Sequence, residues 1–170
     1  MAYRIERLPD EQEVPMANDV STITKPGTES SSKAGAKPGM RAGYSSAKKP
    51  VMVPGRRDFF TYRDLGVKDA SNGTMRAQLT SAITGMTQPT GWHYHVCEGQ
   101  FVYTLKGWVE LEFEDGTNCR LEAGDSVFIP GGMLHQENRT SDDLEILEVS
   151  VPADMGTVAV DPPAKRTNGA

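Results

Sequence analysis

Trp108-Val109-Glu110-Leu111-Glu112-Phe113-Glu114-Asp115-Gly116 decides the fold class. Val109, Leu111 and Phe113 alternate with Glu110, Glu112 and Glu114, an apolar–charged pattern of period two. Successive side chains of a strand point to opposite faces, so this segment is a strand with one dry face and one wet face. Asp115-Gly116 is a hairpin signal, and Cys119 to Leu121 begins the return strand.

Outward from this hairpin the same grammar repeats. Phe59 to Tyr62, Met75 to Met86, Gln100 to Leu105, Ser126 to Ile129 and Leu144 to Val151 are short β-prone runs, separated by turn residues such as Asn72-Gly73 and Gly107. No helical periodicity of useful length interrupts them. Regular short strands punctuated by Gly, Pro and Asp predict an all-β barrel or sandwich.

The flanks read differently. Lys25 to Pro50 is dominated by Ser, Gly, Ala, Lys and Pro, and such a stretch buries too little apolar surface to offset its ordering entropy. The expected organisation is a flexible N-terminal arm over residues 1–50, a barrel over 51–155 and a flexible tail over 156–170. A chain of 170 residues suits one domain.

A net charge of -5 supplies no basic field for nucleic acid or an anionic membrane. No apolar run reaches the roughly 18 residues of a membrane span, and the opening MAYRIERLPDEQEVP lacks the apolar stretch of a secretory signal. A cytoplasmic location is expected, and two cysteines, Cys97 and Cys119, make no disulfide framework.

The chain has three histidines. His93 and His95 sit one residue apart in Gly91-Trp92-His93-Tyr94-His95, and on a strand such a pair shares one face. His135 follows the Pro130-Gly131-Gly132 turn. Three neutral imidazoles on adjacent strands would give a facial metal site with open positions for water or substrate.

Residues 75–152 resemble the cupin superfamily through its two motifs. In the first, G-x5-H-x-H-x3-4-E-x6-G, the positions His93, His95 and Gly107 match, Thr87 stands for the opening Gly, and Gln100 stands for the acid. In the second, G-x5-P-x-G-x2-H-x3-N, the positions Gly124, Pro130, Gly132 and His135 match, while Arg139 replaces the Asn. The resemblance implies a double-stranded β-helix (a jelly-roll-like barrel), one divalent metal ion at its mouth and often a homodimer. It leaves the activity open, since one fold hosts many chemistries.

Gln100 is the informative departure, because an amide oxygen is a weaker ligand than a carboxylate. The expected metal set is therefore His93, His95 and His135, with Gln100 as a loose fourth ligand or an orienting group. Glu98 is the competing acid, as ligand or general base. Arg76, Gln78 and Thr80 share one face of a strand, and if that face looks inward Arg76 can hold a substrate carboxylate. Tyr94 and Tyr103 point away from the ligand face if their strands are regular, while Phe128 and Met133 are candidates for pocket wall or core.

These features favour a metalloenzyme acting on a small polar or carboxylated molecule. A dioxygenase using Fe(II) leads, with a metal-dependent isomerase or lyase and a non-catalytic ligand-binding barrel as alternatives. Zn, Ni, Mn and Co also suit these ligands.

Overall fold

The computed structural model describes residues 35–164. In chain order these form β1 (Val51–Val53), β2 (Phe60–Asp64), a single helical turn α1 (Val67–Ala70), β3 (Arg76–Ala82), β4 (His93–Val96), β5 (Gly99–Lys106), β6 (Trp108–Phe113), β7 (Asn118–Glu122), β8 (Ser126–Pro130), β9 (His135–Thr140), β10 (Glu145–Val151) and β11 (Gly156–Ala159). The strands make two antiparallel sheets, in the orders β1-β2-β3-β10-β5-β8 and β11-β4-β9-β6-β7. The all-β jelly-roll architecture expected from the sequence is present. No helix among the described residues is long and apolar enough to cross a membrane.

β6 does what its alternation dictates. Val109, Leu111 and Phe113 are buried, whereas Glu110 and Glu112 stay partly exposed. With Leu121 of β7, Ile129 of β8 and Leu144 they form the hydrophobic cluster that closes one end of the interior. Fully burying each such side chain contributes about 1.5–3 kcal/mol. The rest of the interior carries polar side chains. There β3, β5 and β10 turn Gln78, Thr80, Gln100 and Ser150 inward, all buried.

The outer face of the six-stranded sheet is apolar. Leu147 pairs with Leu79 and Tyr103, Val149 pairs with Phe101, and Phe101 pairs with Phe128. Phe128 lies on this face at 62% exposure, so it is neither core nor pocket wall. Tyr103 is also outward, as its strand alternation predicts, while Met133 packs against the core.

Two boundaries move. The segment 156–170, read as a flexible tail, contains β11, which pairs with β4 through Gly156↔Val96, Thr157↔His95, Val158↔Tyr94 and Ala159↔His93. Four residues followed by prolines carry no strand signal of their own, and the partner strand supplies the order. At the other end, Arg41 donates from its main chain to Ala70 O at 2.9 Å and from its guanidinium to Asp69 O at 2.9 Å. Ser45 Oγ reaches Asp64 O at 3.3 Å. The ordered unit thus begins at Ala36 rather than at residue 51. The remainder of the expected arm (1–34) and tail (165–170) lies outside the described residues.

Truncation after Met155 removes β11 and leaves β4 with an open edge. The melting temperature should fall by several degrees in differential scanning calorimetry; an unchanged midpoint would mean that the pairing contributes nothing to stability.

Candidate metal centre

His93 and His95 face the interior from β4, and His135 faces them from β9, where it pairs directly with His93. The ring centroids are 4.5, 5.0 and 5.2 Å apart, a near-regular triangle. Relative exposures of 2%, 4% and 1% put all three out of contact with bulk water.

Each ring is anchored through Nδ1. His93 Nδ1 lies 2.9 Å from Gly91 O, and His135 Nδ1 lies 2.9 Å from Met133 O. A carbonyl only accepts, so both rings donate from Nδ1 and keep a bare lone pair on Nε2. His95 Nδ1 meets Thr157 Oγ1 at 2.9 Å, a contact supplied by the strand that the sequence reading had left as tail. His93 Nε2 is buried with no hydrogen-bond partner, a costly condition for an isolated nitrogen. The ligating nitrogens of all three lie within 4.8 Å of one another. Burial, tautomer and an orphaned nitrogen together fit a divalent ion held by His93, His95 and His135.

The turns around the centre explain the glycines of the motifs. Gly131 N donates to Glu98 O at 3.1 Å and Gly132 N to His95 O at 2.9 Å, which lays the Pro130 turn on the β4–β5 turn. A Cβ at Gly131 would lie 1.7 Å from Cys97 O, so no other residue permits this approach.

Residues 85–150 match the family model for the cupin domain. Residues 85–150 form a cupin domain. Among curated protein sequences none matches the chain. Solved structures share the fold at low identity. KdgF from Halomonas sp. is 18% identical over 67% of this chain and 96% of its own, with a TM-score of 0.56. The polyketide cyclase RemF from Streptomyces resistomycificus is 19% identical over 71% and 88%, with a TM-score of 0.55. An RmlC-like cupin from Shewanella frigidimarina is 18% identical over 68% and 95%, with a TM-score of 0.51.

In this cupin Gln100 is buried and donates from Nε2 to Glu148 Oε1 at 2.7 Å. Glu148 Oε2 accepts from Gln78 Nε2 at 2.8 Å and from Thr80 Oγ1. Glu98 sits exposed in the β4–β5 turn, outside the three-histidine group, so the competing acid is a solvated turn carboxylate. Arg76 begins β3 on the inward face, paired with Ser150, but the cavity beside the centre is lined by other arginines. Cys97 is a turn cysteine whose thiol burial pushes up, which keeps it protonated.

Sequence reasoning missed the two acids nearest this chemistry. Glu137 lies two residues after His135 on the same strand face, with Oε2 3.9 Å from His93 Nε2. Thr90 Oγ1 donates to that oxygen at 2.5 Å. Burial pushes the Glu137 carboxyl up, but His93, the Thr90 hydroxyl and His135 outweigh it and draw it below the usual carboxylate range. The alternation of β9 signalled it: in His135-Gln136-Glu137 the acid shares the face of the histidine. Glu148 was masked by lying in an otherwise aliphatic run, Ile146 to Val149.

A cavity of about 50 Å³ opens beside the centre. Arg56, Arg57, Tyr62, Thr90, Glu137 and Glu148 are among the residues that line it. Burial and then the Glu148 charge raise the Tyr62 phenol above its ordinary value.

Replacing Thr157 by Val keeps the shape of β11 and deletes the acceptor or donor at His95 Nδ1. Metal affinity should weaken by about 10–100-fold in a chelator competition, while His135→Ala should abolish stoichiometric metal. Full retention by His135→Ala would exclude the three-histidine centre.

The metal-free protein should also lose stability on acidification. Burial first, then the neighbouring histidines, push His95 down to about 3, and burial lowers His135 as well. Below the ordinary histidine pKa of 6.5 the unfolded chain binds protons that the folded chain refuses. Stability therefore falls as pH drops from 6.5 toward 3, by about 1.4 kcal/mol per pH unit for His95, with a further loss in the same direction from His135. The interval from 6.5 to 5 lies above the carboxylate range. Urea midpoints that stay flat across it would contradict the neutral, buried triad.

Proposed function

We propose that this cupin is a metal-dependent enzyme that moves a proton on a small polar or carboxylated molecule, as an isomerase or lyase does. The observation that carries this reading is Glu137, whose carboxylate oxygen lies 3.9 Å from Nε2 of His93 and which also lines the adjoining cavity. When bound, a divalent ion supplies Lewis acidity toward a substrate oxygen, and iron(II) would add reactivity toward dioxygen.

The chain's own residues have distinct tasks. His93 and His135 hold their Nε2 lone pairs inward, His95 does so when its Nδ1 donates to Thr157 Oγ1, and a set of imidazole ligands would leave the full charge of the ion to act on the substrate. Thr90 fixes Glu137 Oε2, leaving Glu137 to take a proton from a carbon or hydroxyl beside the polarised oxygen. Tyr62, kept protonated by its surroundings, is a donor in the same cavity. Gln78, Thr80 and Gln100 hold Glu148 on the opposite sheet, and burial of the centre excludes bulk water.

A dioxygenase remains the second reading, favoured by a ligand group of three neutral histidines with no carboxylate within it. The acid–base groups in the cavity set it second, since oxygen chemistry does not call for them.

Protein loaded separately with zinc(II), manganese(II) and iron(II) separates the readings. Proton transfer should appear as metal-dependent exchange of the α-hydrogens of small keto acids into D2O under nitrogen, followed by NMR. Glu137→Gln should slow that exchange by about 100-fold or more at unchanged metal content. Oxygen uptake that requires iron(II), without exchange, would instead establish the dioxygenase reading; neither signal would leave a ligand-binding barrel.

A further inference from the structure

The two acids of the cavity are already engaged by neutral donors. Glu137 takes Thr90 Oγ1, and Glu148 takes Gln78, Thr80 and Gln100. The two arginines of the same cavity have no such commitment. Among the described residues no carboxylate lies within ion-pair distance of Arg56 or Arg57. Arg56 is exposed and Arg57 half-buried, so both guanidinium groups are open to an anion arriving from solvent.

The segment that carries the arginines is fixed in place. It joins β1 to β2, and Gly55 lies flat on the Tyr62 ring, where a Cβ would come 1.6 Å from Cε2. Arg57 donates one Nη2 hydrogen to Thr90 O at 2.9 Å, which orients its fork, and among the described residues its side chain makes no other hydrogen bond. The same Thr90 holds Glu137 beside His93. Arg57, Thr90, Glu137 and His93 are thus linked in sequence from the cavity's basic end to the metal centre.

We infer that Arg56 and Arg57 form an anion subsite that grips the carboxylate of a small organic acid, with the rest of that acid reaching toward His93, His95 and His135. This rests on the reading that the centre is catalytic. It assigns to Arg56 and Arg57 the role that sequence reasoning gave to Arg76. Glu137 and Glu148 offset the two arginines overall, so the attraction is local to the Arg56–Arg57 end, and the two acids disfavour a second negative charge deeper in the cavity. A free hydroxyl on the acid can donate to Glu148, whose carboxylate retains unused acceptor capacity after three hydrogen bonds. The volume of about 50 Å³ is room for the carboxylate end of a small acid rather than for the whole molecule.

The test is calorimetric titration of the full chain, loaded with zinc(II) and with zinc content measured, against lactate, pyruvate, lactamide and inorganic phosphate. Lactate or pyruvate should bind one per chain, and neutral lactamide should bind about tenfold more weakly or worse. The double variant Arg56→Gln/Arg57→Gln should lose about tenfold or more in acid affinity while zinc content and melting temperature stay at wild-type values. Equal affinity in the variant, equal affinity for lactamide, preference for phosphate, or no acid binding by zinc-loaded wild type would each overturn the subsite. If the wild-type chain takes up no metal, the catalytic reading fails by itself. The same titrations on metal-free protein then decide the subsite separately: arginine-dependent acid binding retains it, and its absence removes it.

Discussion

Three hydrogen bonds to imidazole Nδ1 atoms govern what this barrel can do. Two end on carbonyls of the residues two before the histidines, and the third meets a threonine on a neighbouring strand. A histidine with Nδ1 left to solvent would sample both tautomers and several rotamers. With Nδ1 committed, the remaining lone pair points one way, and three such constraints converge on one point. The anchors for His93 and His135 are local, so the backbone near Gly91 and Met133 sets two of the ligands. The anchor for His95 is long-range and makes the centre depend on the completed sheet.

Around that point the interior is divided. Val109, Leu111, Phe113 and Leu144 pack its apolar part, which reaches His135 through Phe113 and the cavity wall through Val109 and Leu144, and its dryness strengthens every electrostatic interaction nearby. The polar part is lined by Gln78, Thr80, Gln100 and Glu148 on one sheet and by the histidines and Glu137 on the other. This arrangement places acceptors, donors and ligands on facing walls, with the Arg56–Arg57 segment across one side. Polar groups of this density inside a small barrel are costly unless paired, and nearly all of them are paired. Among the described residues the buried exceptions are His93 Nε2, Ser150 Oγ, Thr104 Oγ1 and Arg63 Nε, of which the His93 nitrogen belongs to the region assigned to a ligand.

Sequence patterning reached the fold because strand alternation is local information. Val109-Glu110-Leu111-Glu112-Phe113 needs no partner to announce its two faces, and His93-x-His95 announces a shared face in the same way. What it did not reach depends on partners far along the chain. β11 is a strand only because β4 offers an edge. Gln100 was read for its likeness to a ligand position, and its bond to Glu148 could not be seen from a glutamate embedded among aliphatic residues. Glu98 was weighed because it is close in sequence to the histidines, whereas Glu137, in register beside His135, is the acid close in space. Arg76 shares the inward face with Gln78 and Thr80, yet Arg56 and Arg57, in an unremarked Pro-Gly-Arg-Arg linker, line the cavity.

The contact between Thr157 and His95 also sets an order in time. His93 and His95 are synthesised first, His135 some forty residues later, and Thr157 later still. At about 5–20 residues per second, the imidazole pair waits several seconds on the ribosome before its last anchor emerges. An ion captured early would be held by incompletely oriented rings and would exchange readily with competitors. Selection of an ion by this centre would therefore belong to the closing of β11, after which the His95 ring is anchored by Thr157.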